Sequence, residues 1–269
     1  INTTLTGVSG NNFTTGTFSN GSRNADSLSI FYDAAGRSYS LIAPDRTQSF
    51  FPTSYRVLGA TSTEDLTPGA RQPAPTFGPS ITLTYTRAGN WLLREAATGG
   101  TRYRIENFVY GIVTPDAATP RTGSANFRLV LSGIFADADF PNLISLSGSG
   151  VLEANFATGA LRGLGRLDYL EDFFLAGRPT ARPTGNFDLT AQLSSNANRF
   201  NGTINLSGIG NYTGALTGRF FGPSADEIGG AFSVSDGNGG IGAGTLVGVR
   251  DATATLPAPT IALLSLSGP

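Results

Sequence analysis

Apolar residues recur at every second position along most of this chain. That is the period of a half-buried β-strand, and the 3.6-residue period of an amphipathic helix is almost absent. The alternation is cleanest after residue 122. Phe187, Leu189, Ala191 and Leu193 share one face, with Asn186, Asp188, Thr190 and Gln192 on the other. Phe200, Gly202, Ile204, Leu206 and Gly208 alternate likewise with Asn201, Thr203, Asn205 and Ser207. Tyr212, Gly214, Leu216, Gly218 and Phe220 alternate with Thr213, Thr217 and Arg219. The pattern predicts eight strands, near 124–135, 145–156, 160–169, 186–194, 199–208, 212–221, 228–235 and 241–249. Turn residues separate several of them: Ala157-Thr158-Gly159, Ile209-Gly210-Asn211 and the run Asp236–Gly240. Short links make neighbours antiparallel, and eight such strands predict an up-and-down barrel.

The composition of the two faces says which one is inside. The apolar face mixes large residues with glycine, as in Leu146, Gly148, Gly150 and Leu152, or Leu161, Gly163, Gly165 and Leu167. Glycine lets a curved sheet close while the large side chains fill an eight-stranded interior. The opposite face carries Ser, Thr, Asn, Asp and Arg, the reverse of a membrane barrel. The expectation is a barrel packed shut, with a polar exterior facing water.

The first 121 residues are strand-like but less regular. Ser27–Tyr32 and Ser38–Ile42 read as a hairpin about Asp33–Gly36, and Ser80–Arg87 with Trp91–Glu95 as another about Ala88-Gly89-Asn90. Tyr103–Val113 reads as one long strand. Pro68, Pro73, Pro75 and Pro79 predict an extended surface loop over Thr61–Pro79. The segment Thr114–Thr122, with Pro115 and Pro120, is the expected boundary between halves. The expected division is therefore a β-rich domain at 1–121, a barrel at 122–250 and a C-terminal extension at 251–269. In that extension, Thr260–Leu266 is an uncharged apolar run suited to strand addition, within the molecule or between molecules.

Composition removes whole classes of chemistry. The 269 residues include no Cys, no His, no Met and no Lys, so all 18 basic residues are arginine, against 19 acids. Without His or Cys there is no Ser-His-Asp triad, thiol nucleophile, Cys/His zinc site or His or Cys haem ligand. No cofactor is expected. A net charge of −1 with scattered arginines argues against nucleic acid. No run of 18 apolar residues could span a bilayer as a helix. Ile1 reads as the start of a mature or trimmed segment.

Against this background the segment Thr213–Phe232, TGALTGRFFGPSADEIGGAF, resembles the barrel signature of transferrin-binding protein B and its relatives. Thr122–Ala125 and the hairpin Phe156–Leu161 are similar to members of the transferrin-binding protein-like solute-binding group. The resemblance covers 122–250 well, and 1–121 more loosely as that family's handle-like domain. It implies an all-β chain, a handle-like domain followed by an eight-stranded antiparallel barrel. It also implies a non-catalytic binding protein at the outer-membrane surface or outside the cell, commonly a lipoprotein. Such a protein captures haem, an iron carrier, another solute or a host protein alongside an outer-membrane receptor. A rival reading on the same barrel is a structural or self-assembling surface subunit.

Single motifs sort against their ordinary structural explanations. Ser224 and Glu227 form an S-x-x-E capping box, suiting a short helical turn after Pro223. Gly237-x-Gly239-x-x-Gly242 lies between two strands and opens no helix, so it reads as a turn. Asp236 and Asn238 lack the closing glutamate of a calcium loop. Glu171 and Asp172, side by side, do not suit a paired acid and base. Leu170–Pro183 holds Phe173, Phe174, Arg178 and Arg182, and Phe50 and Phe51 form a second aromatic patch. Aromatics and arginine concentrate at protein contact sites, so these six are the candidate partner-binding residues, with a plug over the barrel mouth as the plainer alternative. Were the ligand haem, tyrosine is the one customary side chain left. Tyr103 and Tyr110, near Arg102 and Arg104, are the candidates, against the plainer reading as ordinary strand residues.

Overall fold

The computed structural model describes the backbone of residues 4–11, 19–24, 29–33, 35, 38–43, 46–50, 54–59, 62–68, 81–97, 100–136, 144–171 and 180–256. Side chains are described for 35, 40, 42, 81–89, 107–136, 144–169 and 184–256. Within these residues the chain is all-β. Strands β1 (Thr4–Asn11), β2 (Ser19–Asn24), β6 (Ser54–Gly59), β7 (Ser62–Pro68), β8 (Thr86–Ala97) and β9 (Gly100–Gly111) make one sheet in the order β2-β1-β9-β8-β7-β6. Strands β3 (Ser29–Asp33), β4 (Ser38–Ala43) and β5 (Arg46–Phe50) make a second, three-stranded sheet. A 3-10 turn at Asp116–Ala118 follows.

The remaining eight strands close into a barrel in sequence order: β10 (Ser124–Ala136), β11 (Ile144–Asn155), β12 (Ala160–Glu171), β13 (Thr180–Leu193), β14 (Phe200–Leu206), β15 (Tyr212–Phe221), β16 (Glu227–Ser235) and β17 (Ile241–Arg250). Each pairs antiparallel with its neighbours, and β10 closes the ring on β17 from Phe127↔Arg250 to Ala136↔Ile241. All eight follow the period-2 segments of the sequence within a few residues, except that β13 starts six residues before the predicted 186. The extension crosses a bulge. Between the pairs Asp168↔Thr184 and Leu170↔Ala181, Tyr169 faces two residues, Arg182 and Pro183. Proline has no N–H for the ladder, and a bulge is where a strand tolerates one.

The barrel interior is filled. Phe127, Phe156 and Phe200 surround Phe220 at one end, with ring centroids 5.7, 5.4 and 5.8 Å from it. At the other end Phe135 meets Tyr169 and Tyr212 edge-on at 6.1 and 5.1 Å. Between the two groups lie Leu129, Leu131, Leu152, Leu161, Leu189, Ile204, Leu216 and Leu246, all buried. Edge-on rings at these spacings add to the attraction that burial supplies. Glycine makes the room they need. Gly150 and Gly165 pair directly between β11 and β12, and the Phe187 ring lies where either Cβ would project.

Three expectations are corrected in the N-terminal part and at its seam with the barrel. No hairpin turns at Ala88-Gly89-Asn90: β8 runs straight through and pairs with β9 along its length, from Thr86↔Gly111 to Ala97↔Gly100. A small glycine-containing triplet marks a turn only if the chain gains by reversing there, and here twelve ladder pairs outweigh it. Residues 62–68 of the expected proline-rich loop form β7, with Pro68 as its last residue. The rest of that loop lies outside the described residues. Finally, the outer face is not polar all round. On β10, β16 and β17 it carries Val130, Gly229, Ala231, Ala243 and Val247, and β1, β8 and β9 pack across β16 and β17. There Val130, Phe221 and Val247 form a second core with Ile81, Leu83, Ala88 and Val109.

Candidate functional site

The barrel's two ends differ. One end bears the short turns 156–159 and 222–226 and the loop 194–199, and it is tied to the chain entering from β9. Asn198, buried in that loop, donates both amide protons, to the Thr114 and Phe220 carbonyls at 2.7 and 2.8 Å. Its own Oδ1 accepts the Phe220 N–H at 2.9 Å. Thr114 Oγ1 donates to the Gly222 carbonyl at 2.5 Å, and Val113 bridges to Phe221. Every polar atom of the Asn198 side chain is used, so the clasp is fully satisfied.

Beside it sits Glu227, the first residue of β16, only 3 % exposed. Its carboxylate accepts three backbone N–H groups: Thr84 on Oε1 at 2.5 Å, and Tyr85 and Thr86 on Oε2 at 3.0 and 2.7 Å. The expected capping box is therefore absent. Residues 222–225 form a turn, and it is Asp226 that accepts the Ser224 N–H, at 3.1 Å. The pairing Phe221↔Glu227 turns the Glu227 side chain outward, and burial there needs partners of opposite polarity. Residues 84–86, between a bend and the start of β8, present three consecutive free N–H groups to it. The glutamate is a latch between the first sheet and the barrel, not a helix cap.

The opposite end bears the connections 137–143 and 172–179, which lie outside the described residues, and the turns 207–211 and 236–240. The last of these is a turn as expected: Asp236 Oδ1 accepts the N–H groups of Asn238 and Gly240 at 2.8 and 2.9 Å. Gly237 and Gly239 have φ of 79° and 111°, which side-chain-bearing residues avoid. On the outer surface toward this end, β13, β14 and β15 form an open groove of about 520 Å³. Asn186, Asp188, Asn205, Ser207, Asn211 and Thr213 give it its polar groups. They are already ordered: the Thr213 hydroxyl donates to Asn205 Oδ1 at 2.7 Å, and Asn205 Nδ2 donates to both Asp188 oxygens at 3.1 and 3.0 Å. A single carboxylate in an open groove suits hydrogen bonding to a polar partner and no acid–base pair. Below it the Tyr169 hydroxyl donates to the Ser207 carbonyl at 2.7 Å, and burial pushes its phenol above the ordinary range. Asp168 beside it is also raised by burial, with Arg166 opposing.

The structure distributes the sequence candidates as follows. Phe51, Phe173, Phe174 and Arg178 lie outside the described residues. Phe50 ends β5, opposite Tyr39, and Arg182 sits at the β13 bulge; their side chains are not described. Tyr103 and Tyr110 both lie on β9, seven residues and so about 23 Å apart along the strand. Tyr110 is 7 % exposed with its ring 6.0 Å from Phe108, packed as a strand residue. Among the described residues no three Asp, Glu, His or Cys side chains come together to hold a metal ion. No helix among them is long and apolar enough to cross a membrane. Sequence reading missed Asn198 and the groove, and it gave Glu227 the role of a helix cap where the structure makes it a latch. The polar faces of β13–β15 were legible, but their alignment depends on register.

Residues 142–247 match the family model described as the C-lobe and N-lobe beta barrels of Tf-binding protein B. No curated protein sequence matches the chain. Among solved structures, intact Ap-TbpB, with its N and C lobes, is 18 % identical and superimposes with a TM-score of 0.51; 93 % of this chain and 46 % of that one are covered. A transferrin-binding protein B variant from Haemophilus parasuis Hp5, a vaccine antigen, is 16 % identical with a TM-score of 0.50 and coverages of 92 % and 44 %. The chain thus spans less than half the length of these relatives. Its eight-stranded barrel is of the transferrin-binding protein B type.

Proposed function

We propose that the chain is a non-catalytic binding protein of the outer-membrane surface or the extracellular space. It captures a nutrient (haem, an iron carrier or another solute) or a host protein, in company with an outer-membrane receptor. The observation that carries this reading is the barrel itself. It is of the transferrin-binding protein B type, and its own side chains fill its interior. A filled barrel offers no internal ligand chamber of the kind wider barrels enclose, so recognition falls to its outside and its loops. The absence of His and Cys supports a role without catalysis.

On this reading the partner contacts are the aromatic and arginine residues of the segment Leu170–Pro183, namely Phe173, Phe174, Arg178 and Arg182, with Phe50 and Phe51 as a second patch. The test is calorimetric titration of the purified full chain with iron-loaded transferrin, iron-free transferrin and haem, with light scattering on the same sample. The reading expects a monomer that binds one of these saturably. Replacing Phe173 and Phe174 together by Ala should weaken that binding about tenfold or more while leaving the unfolding midpoint unchanged. A chain that forms large particles and takes up none of the three would instead be a self-assembling surface subunit.

A further inference from the structure

The base of the barrel carries a group of arginines that the binding reading does not use. Phe200 pairs with Gly218, so Arg199, the residue just before β14, falls beside Arg219 of β15. Both point outward, since Phe200 and Phe220 point in. Like charges at opposed positions of an antiparallel pair repel. Burial lowers the pKa of Arg219, and repulsion by Arg199 lowers it further. The Nε of Arg219 is buried and has no hydrogen-bond partner. Arg121 adds a third cation to this end: its guanidinium donates to the Ser194 carbonyl, in the loop that leads to Arg199.

Asp116, in the 3-10 turn, offsets part of the charge on Arg219, but its Oδ1 already accepts the Asn198 N–H at 2.7 Å. A fold gains nothing by holding two like charges beside each other with a donor left unpaired, unless an anion offsets them. Paired guanidinium forks present parallel N–H donors at the spacing of two oxygens on one tetrahedral centre.

We propose that Arg199 and Arg219 form a binding site for a phosphate-type oxyanion, with Arg121 adding to the local positive charge. The anion lies across the outward ends of the two guanidinium groups. The same chemistry is offered by free phosphate and by the phosphomonoester head group of a lipid, and the experiment separates the two.

The full chain is titrated with inorganic phosphate, following its thermal midpoint and its arginine side-chain NMR signals, with sodium chloride at matched ionic strength as the reference. The midpoint should rise saturably in phosphate and not in chloride, and the Arg219 Nε–H signal should move. Arg219→Gln and Arg199→Gln should each weaken phosphate binding about tenfold or more, and Arg162→Gln, exposed on β12, should not. Because Arg199 is exposed, its variant keeps the test sound should Arg219→Gln fold poorly. Flotation with vesicles of phosphatidic acid in phosphatidylcholine identifies the source. Flotation lost in Arg199→Gln assigns the lipid head group; phosphate binding without flotation assigns the free ion. No saturable response to either probe, a response reproduced by chloride, or binding by both variants as tight as by the native chain would overturn the proposal.

Discussion

At the scale of single residues, a few buried polar side chains decide how the parts are joined. Glu227 satisfies three consecutive backbone donors. Glu227→Gln keeps the shape but turns an amide NH2 toward one or two of those N–H groups. The expected loss is about 2 kcal/mol or more, read from urea unfolding of the full chain. An unchanged midpoint would mean the three contacts contribute little. Asp251, just past β17, works differently. The hydroxyl and the N–H of Thr253 hold its carboxyl below the usual range, at about 2, and its ion pair with Arg128 helps. A carboxyl whose folded pKa is depressed contributes stability above its ordinary pKa and loses it as pH falls toward the folded value. The difference between the native chain and Asp251→Asn should therefore be full above pH about 4 and vanish toward pH about 2. A difference independent of pH would contradict this assignment.

At the scale of elements, the strands were legible because alternation alone reports a sheet with one buried face. Leu161, Gly163, Gly165 and Leu167 read as inward, and Gly163 does face the interior, where an added Cβ would meet Leu189 Cγ at 3.0 Å. Gly163→Val should therefore overpack the barrel and cost about 1–3 kcal/mol, seen as a lower thermal midpoint with a far-UV spectrum still of β type. No change in midpoint would place the new side chain outside. Other features depended on partners that a local pattern does not reveal. Ser224-x-x-Glu227 fits a helix cap by spacing, yet a strand on one side and the N–H groups of residues 84–86 on the other claim the glutamate. Ala88-Gly89-Asn90 looks like a turn until β9 is laid beside it. The small outward residues Ala231, Ala243 and Val247 were a readable sign that something covers β16 and β17, but only the fold says what. The groove on β13–β15 was half legible: its residues were visible as polar faces, and their ladder was fixed only by hairpin register.

At the scale of the whole molecule, a solid barrel is fastened to a sheet on one side and leaves β13–β15 and one end for partners. The described start of the C-terminal extension belongs to this body. The Asp251 N–H donates to the Asn126 carbonyl at 2.9 Å, and Ala254 is buried. A chain ending at Leu256 should consequently unfold at the same midpoint as the full chain. If the apolar run 260–266 serves association, that shorter chain should also lose any self-association that light scattering detects in the full one. Native-state hydrogen exchange tests the central claim, that barrel and first sheet form one unit. Exchange of the Thr84, Tyr85 and Thr86 amides should be about as slow as that of β10–β17, and Glu227→Gln should speed the three selectively. Fast exchange of those three amides in the native chain, beside a protected barrel, would show that the sheet is not fastened and would contradict the account.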